Sequence, residues 1–342
     1  MRFDFCIGNP PYQDETLGDN KGFAPPVYNL FLEAAYQVSD VVEMIHPARF
    51  LYNAGSTPKT WNRKMLDDPH LKVLFHEQNS EALFPGTDIK GGVVISYRDA
   101  TKDFGAIQVY AAFPELNAIR VKVQHYIIAG SLADIIYTQT RFDLDRLYDD
   151  HPEYRAVIGS CGRDRRFRNN IFEKVPIFTE KPTADDDIKT FGVLKNKRCQ
   201  RFIPRRYVDQ THENLAKWKT LIPRANGSGA LGEIMSTPLI GAPSIGYTQT
   251  FIGIGAFDTE FEAVAAMKYT KTKFCRTMLG ILKVTQDNDR ETWRMVPLQD
   301  FTPASDIDWS QPIPAIDQQL YRKYGLTDDE ITFIESHVKE MT

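Results

Sequence analysis

The 342-residue chain has little of what defines several protein classes. Its four cysteines, Cys6, Cys161, Cys199 and Cys275, show no Cys-x-x-Cys or Cys-x-His spacing. That excludes a disulfide scaffold and points to reduced thiols in a cytoplasmic protein. No apolar run approaches the roughly eighteen residues that a membrane-spanning helix needs. The opening MRFDFCIGNPPY meets its prolines too early for a signal peptide. The seven histidines are dispersed without the carboxylate spacing of a metal site, and no Walker loop, GxSxG or HExxH is present. Asp185-Asp186-Asp187 and the pair Asp287 and Asp289 lack a nuclease context and read as solvated loops. Repeats and low-complexity tracts are absent. With 42% hydrophobic and 25% charged residues, disorder is excluded and a sizeable buried core is expected.

Charge of one sign is also scarce overall, at a net −4, but it is unevenly spread. Between Arg155 and Ala225 there are 17 Lys and Arg against 8 Asp and Glu; from Gln299 to Thr342 there are 3 against 9. A basic middle in an acidic chain suggests a polyanion partner confined to one region, the alternative being a solvated charged face.

Patterning divides the chain into three parts, 1–100, 101–297 and 298–342. In the first, strands at Phe3–Ile7 (read as buried), Val41–Ile45, Lys72–His76 and Val93–Tyr97 alternate with helices at Val27–Val38 and Thr60–Leu66. That order predicts an α/β layer with a largely parallel sheet. The second part is less regular, with its clearest helix over Glu260–Leu282, and reads as mixed α+β. The third is an acidic tail whose helix, Asp328–Glu340, has Thr327 as a plausible cap.

The strongest motif is Asn9-Pro10-Pro11-Tyr12, directly after a hydrophobic strand. Ligands of open parallel sheets bind beyond the carboxyl ends of strands. Consecutive prolines carry no N–H, so their carbonyls lack competing local donors and keep a fixed direction. The Asn9 amide oxygen and the Pro10 carbonyl can then accept both hydrogens of one NH2 group, while Tyr12 offers a face for an aromatic base. Two acceptors on an exocyclic amine turn its lone pair towards an electrophile, which is the activation that methylation requires. A base in duplex DNA reaches such a corner only if it is flipped out. Asp4 either tethers the strand end or lies at the surface.

FDFCIGNPPYQ resembles the catalytic motif of the gamma-type adenine-N6 DNA methyltransferases. YNLFLEAAY, IHPARFL and LFPGTDIKGGVVISY are similar to later catalytic-domain motifs of the restriction–modification branch that includes fused type IIG enzymes. NKRCQRFIPRRYV, KTLIPRANGSG, TQTFIGIGAF, KYTKTKFCRTMLGILK and VPLQDFT look like that branch's target-recognition region. The resemblance implies an incomplete Rossmann-like methyltransferase domain over 1–100, a target-recognition domain over 101–297, S-adenosylmethionine as donor and double-stranded DNA as partner. It also implies that Asn9 and Pro10 accept from the adenine amine, that Pro11 holds the turn, and that the base stacks between Tyr12 and a second aromatic. Phe104 is the candidate for that ring, or else a core residue.

In that family the glycine-rich cofactor loop precedes the catalytic motif, whereas this chain opens on it. The expectation is therefore either a separate polypeptide supplying the cofactor-binding half or a DNA-recognition subunit without methyl transfer of its own. Gly253-Ile254-Gly255 is a weak downstream cofactor-loop candidate, against a bulge within a sheet. A glutamine amide in a protein would suit the same turn, but the basic, aromatic region favours DNA. There, Arg163, Arg165, Arg166 and Arg168, with Phe167 between them, form one run. Lys197, Arg198, Arg201, Arg205 and Arg206 form the second. These side chains offer phosphate contacts and base-edge readout. Lys217, Lys219, Arg224 and the Asn226-Gly227-Ser228 segment are weaker candidates, and Lys268, Lys271, Lys273 and Arg276 read as a solvated helix face.

Overall fold

The computed structural model describes residues 2–14, 24–159 and 165–341. It divides into two compact units. The first is 1–118 with 228–230 and 280–285, and the second holds the remainder.

The first unit is a four-stranded sheet with helical connections. β1 (Cys6–Gly8), α1 (Tyr28–Val38), β2 (Val41–Pro47), α2 (Lys59–Asp67), β3 (Leu71–Glu77) and β4 (Val93–Asp99) follow in that order. The spatial order is β1-β2-β4-β3. β1 and β2 are parallel, and β4 is antiparallel to both β2 and β3, so three strands share one direction and β4 alone is reversed. The largely parallel expectation is corrected to this extent: among the described residues only one of the three pairings is parallel, because β4 inserts between β2 and β3 and reverses both contacts.

Local sequence explains these elements. Along β2 the residues Val42, Met44 and His46 are buried on one face, and α1 lays Tyr28, Leu32 and Ala35 against the same core. An aromatic layer lies near the carboxyl end of β2. Tyr28 stacks on His46 at 5.4 Å, Trp61 meets Tyr28 edge-on at 5.9 Å, and Phe50 packs on Trp61 at 5.5 Å. Val284, from the returning segment, joins this core.

β1 departs from expectation. It is not a buried strand: Phe3, Phe5 and Ile7 are 52%, 72% and 76% exposed. β2 is its one strand partner among the described residues, so one edge and an apolar face stay open.

α3 (Pro114–Ala129) leads into the second unit. There follow β5 (Ile136–Tyr137), α4 (Leu144–Asp150), α5 (Tyr154–Ile158), α6 (Ile171–Lys174), β6 (Ile188–Leu194), β7 (Lys197–Ile203), β8 (Trp218–Pro223), β9 (Leu239–Gly241), β10 (Ile245–Tyr247) and β11 (Phe251–Phe257). One sheet is mixed, β10-β6-β7, and the other is β5-β11-β8-β9, antiparallel throughout. Lys195 and Asn196, both with positive φ, close the β6–β7 hairpin. Phe142, Phe167 and Phe178 interlock in the core with centroids 4.5–5.9 Å apart.

The single helix expected over Glu260–Leu282 is two, α7 (Glu260–Lys271) and α8 (Lys273–Leu279). Asp317, on α9 (Ile313–Lys323), explains the break by accepting from the Lys273 and Phe274 N–H groups at 3.0 and 2.9 Å. α10 (Asp328–His337) starts at Thr327, as expected, in a reciprocal cap with Glu330.

His46 makes the first unit sensitive to acid. Its ring is fully buried between Ser96 Oγ (2.7 Å) and the Pro47 carbonyl (3.2 Å), and burial lowers its pKa to about 4. Above the free value of about 6.5 the stabilisation is fully present; as pH falls towards 4 the unfolded chain takes up a proton that the folded one excludes. Stability should fall by about 3 kcal/mol across that window from this group alone. Urea denaturation at pH 7 and pH 4.5 should show a smaller drop in His46→Gln than in the wild type, and equal drops would remove His46 as the cause.

Candidate functional site

The Asn9–Tyr12 corner leaves the sheet at the carboxyl end of β1. Gly8 lies opposite Met44 in the parallel register, so the corner emerges beside the end of β2. Asn9 and Pro11 are exposed, Pro10 is buried, and Tyr12 is half-buried. The Asn9 amide has no protein partner among the described residues and is open to a ligand. Tyr12 anchors the turn: its carbonyl accepts from Val27 N–H at 3.2 Å, and Asp14 N–H bonds to Pro25 at 2.9 Å. Its hydroxyl is buried without a partner among the described residues, and burial raises its pKa.

The ends of β1, β2 and β3 share this edge with the segment between β3 and β4. A cavity of about 590 Å³ lies there, lined among others by His76, Glu77, Asn79, Lys90 and Phe113. Its size falls in the range of small-ligand sites. Phe84, half-buried in the same segment, is an aromatic that the sequence reading passed over.

Phe104 is not brought to the corner. Its N–H bonds to Pro69 O at 2.7 Å, its ring packs on Tyr97 at 6.0 Å, and Lys72 Nζ lies 4.5 Å from its centroid. These contacts hold it at the Leu71 end of β3, a strand length of roughly 20 Å from the carboxyl edge. A stacking partnership with Tyr12 across the sheet is geometrically excluded.

In the second unit the Arg165 segment and the residues that follow Arg206 are brought to one stretch of chain. Phe142 N–H bonds to Arg165 O at 2.6 Å, Asp209 N–H bonds to Arg141 O at 2.9 Å, and Phe142 also bridges to Val208. Segments some forty residues apart therefore flank the same stretch, 141–143, and Arg165 pairs with Asp209 at 3.5 Å. Phe167 is a core anchor, fully buried between Arg166 and Arg168, rather than an exposed ring.

Most of the guanidinium groups already have protein partners. Arg198 donates to Thr237 O (2.7 Å), and Arg201 pairs with Glu180 (3.1 Å). Arg205 donates to Ser244 Oγ (2.8 Å), and Arg206 pairs with Asp150 (3.1 Å). Lys197 is exposed on β7. Arg163 lies outside the described residues.

Several weaker candidates are corrected. Lys219 is fully buried on β8, its ammonium donating to Asn214 O (2.5 Å) and Leu215 O (3.2 Å), so it cannot meet a phosphate. Desolvation lowers its pKa to about 7. Lys217 pairs with Asp258, and Asn226 is buried. On the supposed solvated helix face, Lys268 donates to the Trp309 carbonyl at 2.8 Å, and Arg276 is buried against backbone carbonyls.

Gly253 and Gly255 lie within β11, not in a loop. A side chain at Gly253 would strike the Tyr247 hydroxyl, and Gly255 takes a φ of +83° where the register slips between Ile254 and Phe257. The bulge reading is the one the structure bears out. A space already filled by Tyr247 and Phe257 cannot cradle an adenosyl group, so this segment does not fit S-adenosylmethionine.

With this geometry in place, comparison with known families is informative. Residues 1–84 match the family model described as Eco57I restriction-modification methylase. The match covers α1, β2, the IHPARFL segment and the corner itself. It supports a restriction–modification methylase kinship and a methyltransferase-type function in general, and the mixed α/β architecture is compatible with that. No curated protein matches the chain. Among the described residues, no helix is long and apolar enough to cross a membrane, and no cluster of His, Cys, Asp or Glu is arranged for a metal.

If the two cationic runs form one DNA-facing surface, Arg165→Glu and Arg206→Glu should each flatten the dependence of log K on log salt by about 0.9 per lost phosphate contact. The buried Lys219, changed to Met, should leave the slope unchanged. Fluorescence anisotropy with a short duplex between 50 and 200 mM salt checks all three, and a flattened slope in Lys219→Met would contradict its placement.

Proposed function

We propose that this chain is a site-specific adenine-N6 DNA methyltransferase-type protein of a restriction–modification system, acting on a flipped adenine. What carries the reading is the Asn9–Tyr12 corner: an exposed asparagine amide and a diproline turn at a strand's carboxyl end, inside the segment that matches the methylase family. Asn9 and the Pro10 carbonyl would accept the two hydrogens of the adenine amine and aim its lone pair outward. Tyr12 would bound one face of the base. Phe84, on the same edge, is the better-placed candidate for the opposing ring than Phe104. The Arg165–Arg168 and Lys197–Arg206 runs would hold the duplex.

The family implies S-adenosylmethionine as methyl donor. A second reading is favoured by one observation, the open β1 edge with Phe3, Phe5 and Ile7 exposed. A further strand from a cofactor-binding polypeptide would cover it, and the chain by itself would then recognise DNA without transferring a methyl group.

Asn9→Ala should lower adenine methylation at least about a hundredfold while leaving duplex affinity within twofold, since the amide acts on the reacting amine alone. Loss of both would make the corner structural. Under the second reading, calorimetric titration of the free chain with S-adenosylmethionine should show no micromolar binding; such binding would overturn that reading and favour the first.

A further inference from the structure

We propose, resting on the DNA-binding reading above, that Arg49 binds a backbone phosphate of the strand whose base enters the Asn9–Tyr12 corner. Arg49 is the second residue of the 3-10 turn Ala48–Tyr52, which follows β2 directly. β2 is the parallel neighbour of β1, so arginine and corner leave the same sheet edge from adjacent strands. A short chain of contacts links them. Tyr12 O accepts from Val27 N–H, the next residue Tyr28 stacks on His46, and the positive charge of Arg49 acts on the Tyr28 phenol.

The side chain is held from two sides. Gly55 and Gly91 both take left-handed φ, at 77° and 83°. A Cβ added at Gly55 would lie 3.0 Å from Arg49 Cδ, and one at Gly91 would lie 3.3 Å from Cγ. Nε–H donates to Lys90 O at 2.7 Å. The two terminal nitrogens carry four further N–H groups, and among the described residues no carboxylate lies within ion-pair reach of them. Arg98 in the same unit shows the contrast, paired to Asp68 at 2.7 Å.

A guanidinium gripped along its stem, with no counter-charge on its fork among the described residues, is organised in advance for an anion. Phosphate oxygens match that fork in a bidentate manner, and phosphate contacts set the register of a strand without reading its sequence. A flipped nucleotide needs such a hold, because its own stacking and pairing are lost.

The test uses the full chain with Arg49→Gln and Arg49→Lys, their folding verified by thermal melting. On a short duplex, Arg49→Gln should bind roughly tenfold more weakly at low salt and lose about 0.9 from the salt slope, whereas Arg49→Lys should keep the slope. If Arg49→Gln does not fold, Arg49→Met removes the charge while keeping the packed stem. An unchanged slope in the folded neutral variant, while Arg165→Glu still lowers it, would overturn the assignment and leave the DNA reading intact. Absence of duplex binding by the wild type would overturn both. Should the wild type bind S-adenosylmethionine and Arg49→Gln lose that binding alone, with the slope unchanged, the donor's carboxylate would lie on Arg49 and the phosphate would be overturned.

Discussion

The parallel pairing of β1 with β2 is the contact on which the candidate site depends. Cys6–Gly8 is short and, among the described residues, is flanked by a strand on one side alone, yet its register on β2 decides where Asn9 emerges. A shift of one residue would turn the alternating side chains to the opposite faces and re-aim the corner. The pairing is steadied from behind by the aromatic layer of Tyr28, His46, Phe50 and Trp61, and from the side by the hydrogen bond between Tyr12 O and Val27 N–H. The corner is thus rigid through its prolines and fixed through its neighbours, while Asn9 itself remains exposed.

The second unit carries the cationic segments on an aromatic frame. Phe142, Phe167 and Phe178 form a core directly beneath the cationic segments, so the backbone that carries Arg165, Arg166 and Arg168 is pinned by the aromatic between them. In the second run, Arg201 and Arg206 each hold an exposed carboxylate, Glu180 and Asp150. Exposed pairs of that kind contribute little stability. Buried cations behave otherwise. Lys219 and Arg276 are tied to backbone carbonyls and belong to the core.

Much of the first unit was legible from residue order. Apolar spacing placed α1 and α2, short apolar runs placed β2, β3 and β4, and Thr327 marked the start of α10. Each of these depends on contacts a few residues away. The errors share a cause. Phe3, Phe5 and Ile7 look like a buried strand because alternation reports the strand and not whether anything covers it. Phe104 follows β4 at a suitable distance in sequence, but β4 runs backwards through the sheet and carries it to the wrong end. Lys217, Lys219 and Arg224 look alike in a charge count, yet burial separates one of them from the others.

Sequence by itself determined the local form of the corner, since two prolines and an asparagine after a strand constrain backbone direction and acceptor type. It also determined the caps and the class of elements, which follow from near-neighbour hydrogen bonds and periodicity. Tertiary structure alone decided the rest. It reversed β4, brought the Arg165 segment and the end of the second cationic run to 141–143, filled the Gly253–Gly255 space with Tyr247 and Phe257, and left the fork of Arg49 without a counter-charge among the described residues. These are outcomes of which distant segments pack together, and packing between distant segments leaves no periodic mark on the residues that take part.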